Sequence, residues 1–151
     1  MKLGAFQALA LATVAATYVL IVLGGLVSST GSGLACPDWP LCNGQVVPAL
    51  TASVLIEFTH RVWSILVTAL VVATMLFAWK AYRWPGRVTQ LSTLTFILLV
   101  EQVVLGMVTV RSGTMAIVVT AHLAVATLVF ASALATAVTS LILRPIAVGV
   151  K

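Results

Sequence analysis

The chain is poor in charged side chains. Of its 151 residues, 8 are Lys or Arg and 3 are Asp or Glu, so charged residues make up 7% and hydrophobic residues 62%. A typical soluble domain has a charged fraction of about 25%. This scarcity excludes an ordinary soluble globular domain and indicates an integral membrane protein.

The few cations also fail to form a surface suited to nucleic acid. The net charge is +5, but the basic residues are not interleaved with aromatic side chains, so we expect no nucleic-acid partner. Their positions instead predict topology. They cluster at the N-terminus, in the second loop and at the C-terminus: Lys2, Lys80, Arg83, Arg87, Arg144 and Lys151. Because the opposite side has only Arg111 as a loop cation, we expect both termini to be cytoplasmic.

Four apolar runs reach the length of roughly 20 residues that a membrane-spanning helix needs. They predict helices over about 5–27, 53–79, 89–110 and 115–143. The first run is too long and unbroken for a cleaved signal peptide, and no clear cleavage site follows it. The sequence therefore predicts an all-α integral membrane protein of the plasma membrane. Residues 1–151 would form one up-down-up-down bundle of four transmembrane helices.

The loop predicted over residues 28–52 is rich in Gly and Pro, which disfavours regular helix. It carries both cysteines, Cys36 and Cys42, in the segment C-P-D-W-P-L-C. Thiols outside the membrane usually oxidise, so we expect a disulfide, contributing about 2–2.5 kcal/mol by chain entropy. A two-thiolate metal site is the alternative. Only Asp38 lies nearby in the loop as a further ligand, so a closed zinc site cannot be completed there.

The chain has two histidines, His60 and His122. Each lies about seven residues, or roughly 10 Å, into the second or fourth predicted helix. These helices run in the same direction, so the imidazoles should be level. Ionisable groups inside a bilayer are costly and usually functional. A level pair predicts axial ligation of one haem iron in the bundle core, with a hydrogen-bonding role as the alternative.

Small and polar residues accompany the histidines. Gln102, Gly106 and Thr109 share one face of the third helix, where a glycine could let a macrocycle lie against the backbone. Small residues including Gly24 also share a face of the first helix. Helix packing is the alternative explanation for both faces.

Two carboxylates lie in the predicted spans. Glu57 is spaced i,i+4 from Arg61 and could pair with it. Arg61 would either neutralise Glu57 or hold a haem propionate, and Glu57 would act as an acid or base or stabilise positive charge. Glu101 is near mid-membrane on the third helix, where a proton relay and plain hydrogen bonding both remain open.

Several segments together resemble one known family, heme A synthase. They are G-G-L-V-S-S-T-G-S-G-L-A-C-P-D-W-P-L-C-N-G (Gly24 to Gly44), E-F-T-H-R (Glu57 to Arg61), L-G-M-V-T-V (Leu105 to Val110) and A-H-L (Ala121 to Leu123). The resemblance covers nearly the whole chain in the same order. It implies that a methyl group of heme O is oxidised to a formyl group, giving heme A for terminal oxidases, with haem b as a cofactor.

The resemblance also implies roles for individual residues. His60 and His122 match the family's histidines, Glu57 its glutamate, and Cys36 and Cys42 its loop cysteines. Arg61, Gln102 and Gly106 would contact the haem. Familiar members have two tandem four-helix halves with a histidine pair in each, and this sequence matches one half. We therefore expect a homo-oligomer, at least a dimer. Heme O synthase and oxidase assembly proteins are candidate partners.

Two other functions fit the same residues. The chain could be a non-catalytic bis-histidine membrane cytochrome b that exchanges electrons with quinone. It could also be an assembly factor that carries haem without changing it. Heme A or an oxidised intermediate among the extracted haems would favour the enzyme over both.

Overall fold

The computed structural model describes residues 3–143, which contain four long helices. They are α1 (Ala5–Ser29), α2 (Ala52–Ala81), α3 (Arg87–Arg111) and α4 (Ala116–Ile142). All four are long and apolar enough to cross a membrane. This confirms the predicted all-α four-helix membrane bundle, and each helix end falls within two residues of the predicted one. Three of the cations used to predict topology lie outside the described residues: Lys2, Arg144 and Lys151.

The helices pack in a ring, with α1 against α2, α2 against α3, α3 against α4 and α4 against α1. The helices that carry the two histidines, α2 and α4, are therefore diagonal to each other. The turns at the ends of α1 and α3 are alike, because Gly31 and Gly113 both follow at φ near +67° and +66°. Glycine suits this left-handed backbone, which costs other residues free energy.

The half of the bundle next to the α2–α3 loop is tightly packed by small side chains. The buried residues there are mostly Ala, Ser and Thr: Ala10, Thr13, Thr74, Ala78, Ser92, Thr95, Ser132, Ala133, Thr136 and Ala137. The Thr13 and Thr74 hydroxyls are 2.8 Å apart, and Thr95 donates to Ser132 at 3.0 Å. Small residues and interhelical hydroxyl bonds allow the helix backbones to approach closely inside a membrane. At the other end the helices leave a gap, which holds the site.

The loop between α1 and α2 is folded by a tight hairpin turn. Cys42 and Gln45 exchange both backbone hydrogen bonds at 3.0 Å, and the two residues between them have positive φ, Asn43 at 54° and Gly44 at 72°. Positive φ at both central positions is characteristic of a type I′ turn, for which Asn-Gly is the preferred sequence.

The Asp38 carboxylate braces this turn. It accepts the backbone N–H of Gly44 at 2.7 Å and that of Asn43 at 2.6 Å. These bonds, with that from Gly44 as the largest cause, hold the pKa of Asp38 below its ordinary value. A carboxyl group whose pKa is lowered by folding stabilises the folded state at pH values above its ordinary pKa. This contribution to stability is lost as the pH falls through the lowered pKa. Asp38 is therefore ionised and accepts both hydrogen bonds at neutral pH.

The predicted disulfide is present between Cys36 and Cys42. Both sulfur-bearing residues are buried, at 0% and 2% exposure, in a cluster with Val54 and Phe58 of α2. The disulfide accounts for both cysteines of the loop. Its packing against Val54 and Phe58 holds the loop against the beginning of α2.

Candidate functional site

A cavity of about 600 Å³ occupies the half of the bundle next to the α1–α2 loop. Ligand-binding pockets usually measure about 300–1,000 Å³, so this volume suits a small-molecule ligand of substantial size. Three buried apolar side chains, Val67, Leu99 and Val129, form its floor above the tightly packed half. Small residues line the cavity as well, so its volume is left open by side chains too short to fill the space between the helices.

Both histidines line the cavity. His60 lies eight residues after the start of α2, and His122 lies six residues after the start of α4. At 1.5 Å per residue these positions are about 12 Å and about 9 Å along their helices, so the imidazoles are level to within one helical turn. The structure therefore brings the two predicted ligands to one cavity from diagonal helices.

Each imidazole lies against a glycine of the preceding helix. A Cβ atom on Gly24 of α1 would be 3.2 Å from Cε1 of His60, and one on Gly106 of α3 would be 3.3 Å from Cε1 of His122. Both distances are shorter than an ordinary carbon–carbon contact. Each glycine lies five residues before the end of its helix. The two helical hairpins thus repeat one histidine–glycine arrangement. The sequence pattern of α1 alone did not distinguish this role of Gly24 from ordinary helix packing.

The ring nitrogens of the histidines are poorly satisfied within the described part of the chain. Nδ1 of His60 and Nδ1 of His122 are buried there without a hydrogen-bond partner. Nε2 of His122 has one hydrogen-bond partner there, the side-chain amide nitrogen of Gln102 at 3.2 Å. Buried polar atoms without partners are costly, and they are uncommon outside functional sites. Imidazoles left in this state are suited to a ligand that binds ring nitrogen.

Glu57 and Arg61 form a buried ion pair in the cavity wall, with Arg61 Nε 2.7 Å from Glu57 Oε1. The guanidinium also donates to three loop carbonyls. Nη1 bonds the oxygens of Asp38 and Leu41 at 2.8 Å, and Nη2 bonds the oxygen of Cys36 at 2.6 Å. These contacts occupy four of the five N–H groups of Arg61.

Arg61 therefore does more than neutralise Glu57, because it also holds the disulfide loop against the N-terminal half of α2. Trp39 of that loop lines the cavity. One N–H of Nη2 is left for any further acceptor, so the expected contact with a haem propionate remains a prediction. The role of Arg61 as a loop anchor was missed from the sequence, where only its i,i+4 partner was visible.

Glu101 lies outside this constellation. Its side chain is exposed on the surface of α3, whereas its neighbour Gln102 faces the cavity. Consecutive residues on a helix point about 100° apart, which explains the difference. The structure thus places Gln102 at the site and Glu101 on the outer surface of the bundle, away from any proton relay through this cavity.

The anchoring role of Arg61 can be tested by the accessibility of the disulfide. Arg61→Gln removes most donors to the loop carbonyls, so the buried disulfide should become accessible to a water-soluble phosphine. Hydrogen bonds to charged groups are worth about 1.5–3 kcal/mol each, so we expect reduction to be about 10-fold faster or more. Alkylation of the released thiols and mass measurement give the rate.

Arg111→Gln is the matched control, because Arg111 is an exposed cation at the same end of the bundle. Equal reduction rates in the two variants would show that the loop stays in place without Arg61.

Comparison with known proteins identifies the family. The model of the cytochrome oxidase assembly protein family matches residues 7–55 and 50–148. The heme A synthase of Bacillus licheniformis is 34% identical over 131 residues, covering 86% of this chain and 43% of that protein. A heme A synthase of Bacillus cereus is 38% identical over 126 residues, covering 81% and 40%. The chain spans about two fifths of the length of the curated relatives it matches. It belongs to the heme A synthase family of cytochrome oxidase assembly proteins.

Proposed function

We propose that this protein binds haem between His60 and His122 and takes part in oxidising a methyl group of heme O to the formyl group of heme A. The observation that supports this best is the repeated pairing of each histidine with a glycine at one cavity. Two imidazoles from diagonal helices with a space between them are the donor set that a six-coordinate haem requires.

The residues around the cavity fit a macrocycle. The glycines keep the imidazoles against the helix backbones, which leaves the space between the histidines open. Residues 3–143 provide no hydrogen-bond partner for the buried Nδ1 atom of either ring. A bound haem b would supply one-electron redox chemistry. Gln102 and Gly106 of α3 would face the ring on the His122 side, and Arg61 has one N–H left for a propionate.

Glu57 is the residue that we propose as catalytic. It lies one turn before His60 in the cavity wall, and its relative exposure is 5%. The conversion of a methyl to a formyl group removes electrons and protons from that carbon and adds an oxygen atom, so the reaction also needs an electron acceptor and an oxygen donor such as water. A carboxylate held in place by Arg61 can accept a proton there or stabilise positive charge that develops on the substrate. The same pairing keeps one carboxylate oxygen directed at the arginine.

The α2–α3 loop is proposed to face the cytoplasm, and the disulfide loop the opposite side. Lys80, Arg83 and Arg87 surround the α2–α3 turn, whereas the described residues toward the other end have Arg111 and Arg61, which is paired with Glu57. This asymmetry agrees with the positive-inside rule. A buried disulfide also agrees with an oxidising compartment on the other side. The chain termini would then be cytoplasmic.

A second copy of the chain is proposed to complete the reaction. The described residues form one cavity with one histidine pair, whereas the proposed reaction uses a substrate haem and a cofactor haem. Two associated four-helix units would supply two equivalent pairs, and a symmetric dimer is the commonest way to associate them.

Ligation by both histidines is tested with His60→Ala and His122→Ala. The wild-type protein loaded with haem should show the optical and electron paramagnetic resonance spectra of low-spin, bis-histidine iron. Each variant should lose one axial ligand and shift to high spin or lose its haem. Unchanged spectra in both variants would rule out this pair as ligands.

The glycine contacts are tested with Gly24→Ala and Gly106→Ala. The added Cβ would lie 3.2 or 3.3 Å from an imidazole carbon, so the ring must move by a few tenths of an ångström. We expect altered resonance spectra of the bound haem and an increased high-spin fraction. Gly25→Ala is the control, because its Cβ would have no heavy atom within 4 Å and it gains the same helix propensity. Identical spectra for Gly24→Ala and Gly25→Ala would argue against a constrained His60.

The catalytic proposal is tested with Glu57→Gln in cells that also make heme O. Gln keeps an oxygen for Arg61 but removes the charge, so haem binding should persist. Heme A yield should fall by about 10²-fold or more, the usual contribution of a catalytic acid or base. Chromatography of extracted haems measures the yield. Glu101→Gln is the control, because that carboxylate faces away from the cavity.

The same chromatography separates the alternatives. Wild-type yield in Glu57→Gln would leave Glu57 as only the partner of Arg61. Heme O that is bound but never altered by the wild-type protein would favour the cytochrome or the haem-carrying assembly factor.

The dimer is tested by crosslinking and by native mass measurement in mild detergent. We expect at least two copies per particle, with activity confined to that species. A strictly monomeric species that produces heme A would show that one site serves both haems in turn.

A further inference from the structure

The two helical hairpins place their histidines alike but differ in several surrounding residues, one of which contacts a ring nitrogen. Gly24 and Gly106 occupy equivalent places beside His60 and His122, five residues before the end of their helices. One helical turn earlier, α1 has Leu20 and α3 has Gln102. Both residues line the cavity. Only the second can form a hydrogen bond through its side chain, so the two histidines have unequal surroundings.

The contact of Gln102 involves the ring nitrogen that a metal would need. Its amide nitrogen is 3.2 Å from Nε2 of His122 and donates to the lone pair of that atom. With the amide rotated, its oxygen would instead accept N–H from Nε2. Either arrangement occupies Nε2, while Nδ1 is buried away from partners in the described residues. One nitrogen cannot keep this bond and bind iron in the same direction, so His122 must release Gln102 first.

No side chain among the described residues competes for His60, although the backbone of Leu20 lies within reach of its ring. Nε2 of His60 forms no side-chain hydrogen bond there, and unlike Nδ1 it is not fully buried. The imidazole lies against Gly24 and near the backbone of Leu20, rather than against a polar side chain. His60 can therefore bind a metal without giving up a side-chain hydrogen bond, whereas His122 cannot.

We propose that Gln102 is a positioning residue that makes His122 the exchangeable axial ligand and leaves His60 as the permanent one. This proposal rests on the proposed haem-binding function, and it adds that His122, rather than His60, is the ligand that leaves the iron. A site that accepts heme O and delivers heme A must let go of its product. Gln102 holds the imidazole of His122 whenever it leaves the iron, which favours opening on that side of the ring.

Carbon monoxide measures the exchange, because it binds reduced bis-histidine haem only after one imidazole has left. The full chain is loaded with haem b, reduced, and mixed with carbon monoxide. In Gln102→Leu the released imidazole has no alternative partner and returns to the iron sooner. We expect carbon monoxide to bind about 2- to 10-fold more slowly than in the wild type, the net worth of one hydrogen bond.

Two further variants keep the test specific. Glu101→Gln is the matched control, because Glu101 precedes Gln102 on the same helix but its side chain is exposed and does not line the cavity. It should bind carbon monoxide at the wild-type rate. Leu20→Gln places an amide opposite His60, and we expect faster binding than in the wild type. These opposite directions cannot come from a general loss of stability.

The double variant Gln102→Leu, His122→Ala completes a mutant cycle. Once His122 is absent, the change at Gln102 should no longer affect the rate, so the double variant should match His122→Ala. A rate in Gln102→Leu that equals or exceeds the wild-type rate overturns the proposal. An effect of Gln102→Leu that persists in the double variant also overturns it.

Other results would contradict the proposed haem ligation rather than the role of Gln102. Wild-type protein whose haem spectrum does not depend on both His60 and His122 contradicts the ligation itself. A bis-histidine spectrum together with equal rates in Gln102→Leu and Glu101→Gln contradicts only the role of Gln102.

Discussion

The absence of water inside a bilayer constrains every polar group in this bundle. Backbone groups are satisfied within the helices, and a buried polar side chain must find a partner in the protein or in a ligand. In the tightly packed half, hydroxyls pair across helices, as Thr13 and Thr74 do. At the cavity, the two histidines retain unpartnered Nδ1 atoms among the described residues. Nε2 of His60 makes no side-chain hydrogen bond among those residues, so this nitrogen is open to a ligand in the cavity.

Close packing at one end of the bundle creates the opening at the other. Small residues bring the helices together below the floor formed by Val67, Leu99 and Val129. Above it, small residues leave the cavity open, and two of its glycines, Gly24 and Gly106, make room for the imidazoles. The cavity is therefore closed by packing below and bounded by the disulfide loop above, and Arg61 connects that loop to the helix carrying His60.

The repeated hairpins place two imidazoles alike in unequal surroundings. A glycine opposite a histidine is present in both hairpins. Among the described residues a side-chain amide contacts Nε2 beside His122, where the other hairpin has Leu20. Under the proposed function, such a pair has one permanent and one exchangeable ligand, which suits a site that must release a haem product.

Much of this was determined by the sequence alone, because the signals are local or follow helical periodicity. The apolar runs predicted all four helices, the histidine positions predicted their common depth, and the C-P-D-W-P-L-C segment predicted the disulfide. The Asn43–Gly44 pair also carries a local turn signal. Only the tertiary structure decided that Gly24 supports His60, that Arg61 binds loop carbonyls and that Glu101 faces outward. These depend on how each helix is rotated and on contacts between distant segments, which residue spacing along one helix does not determine.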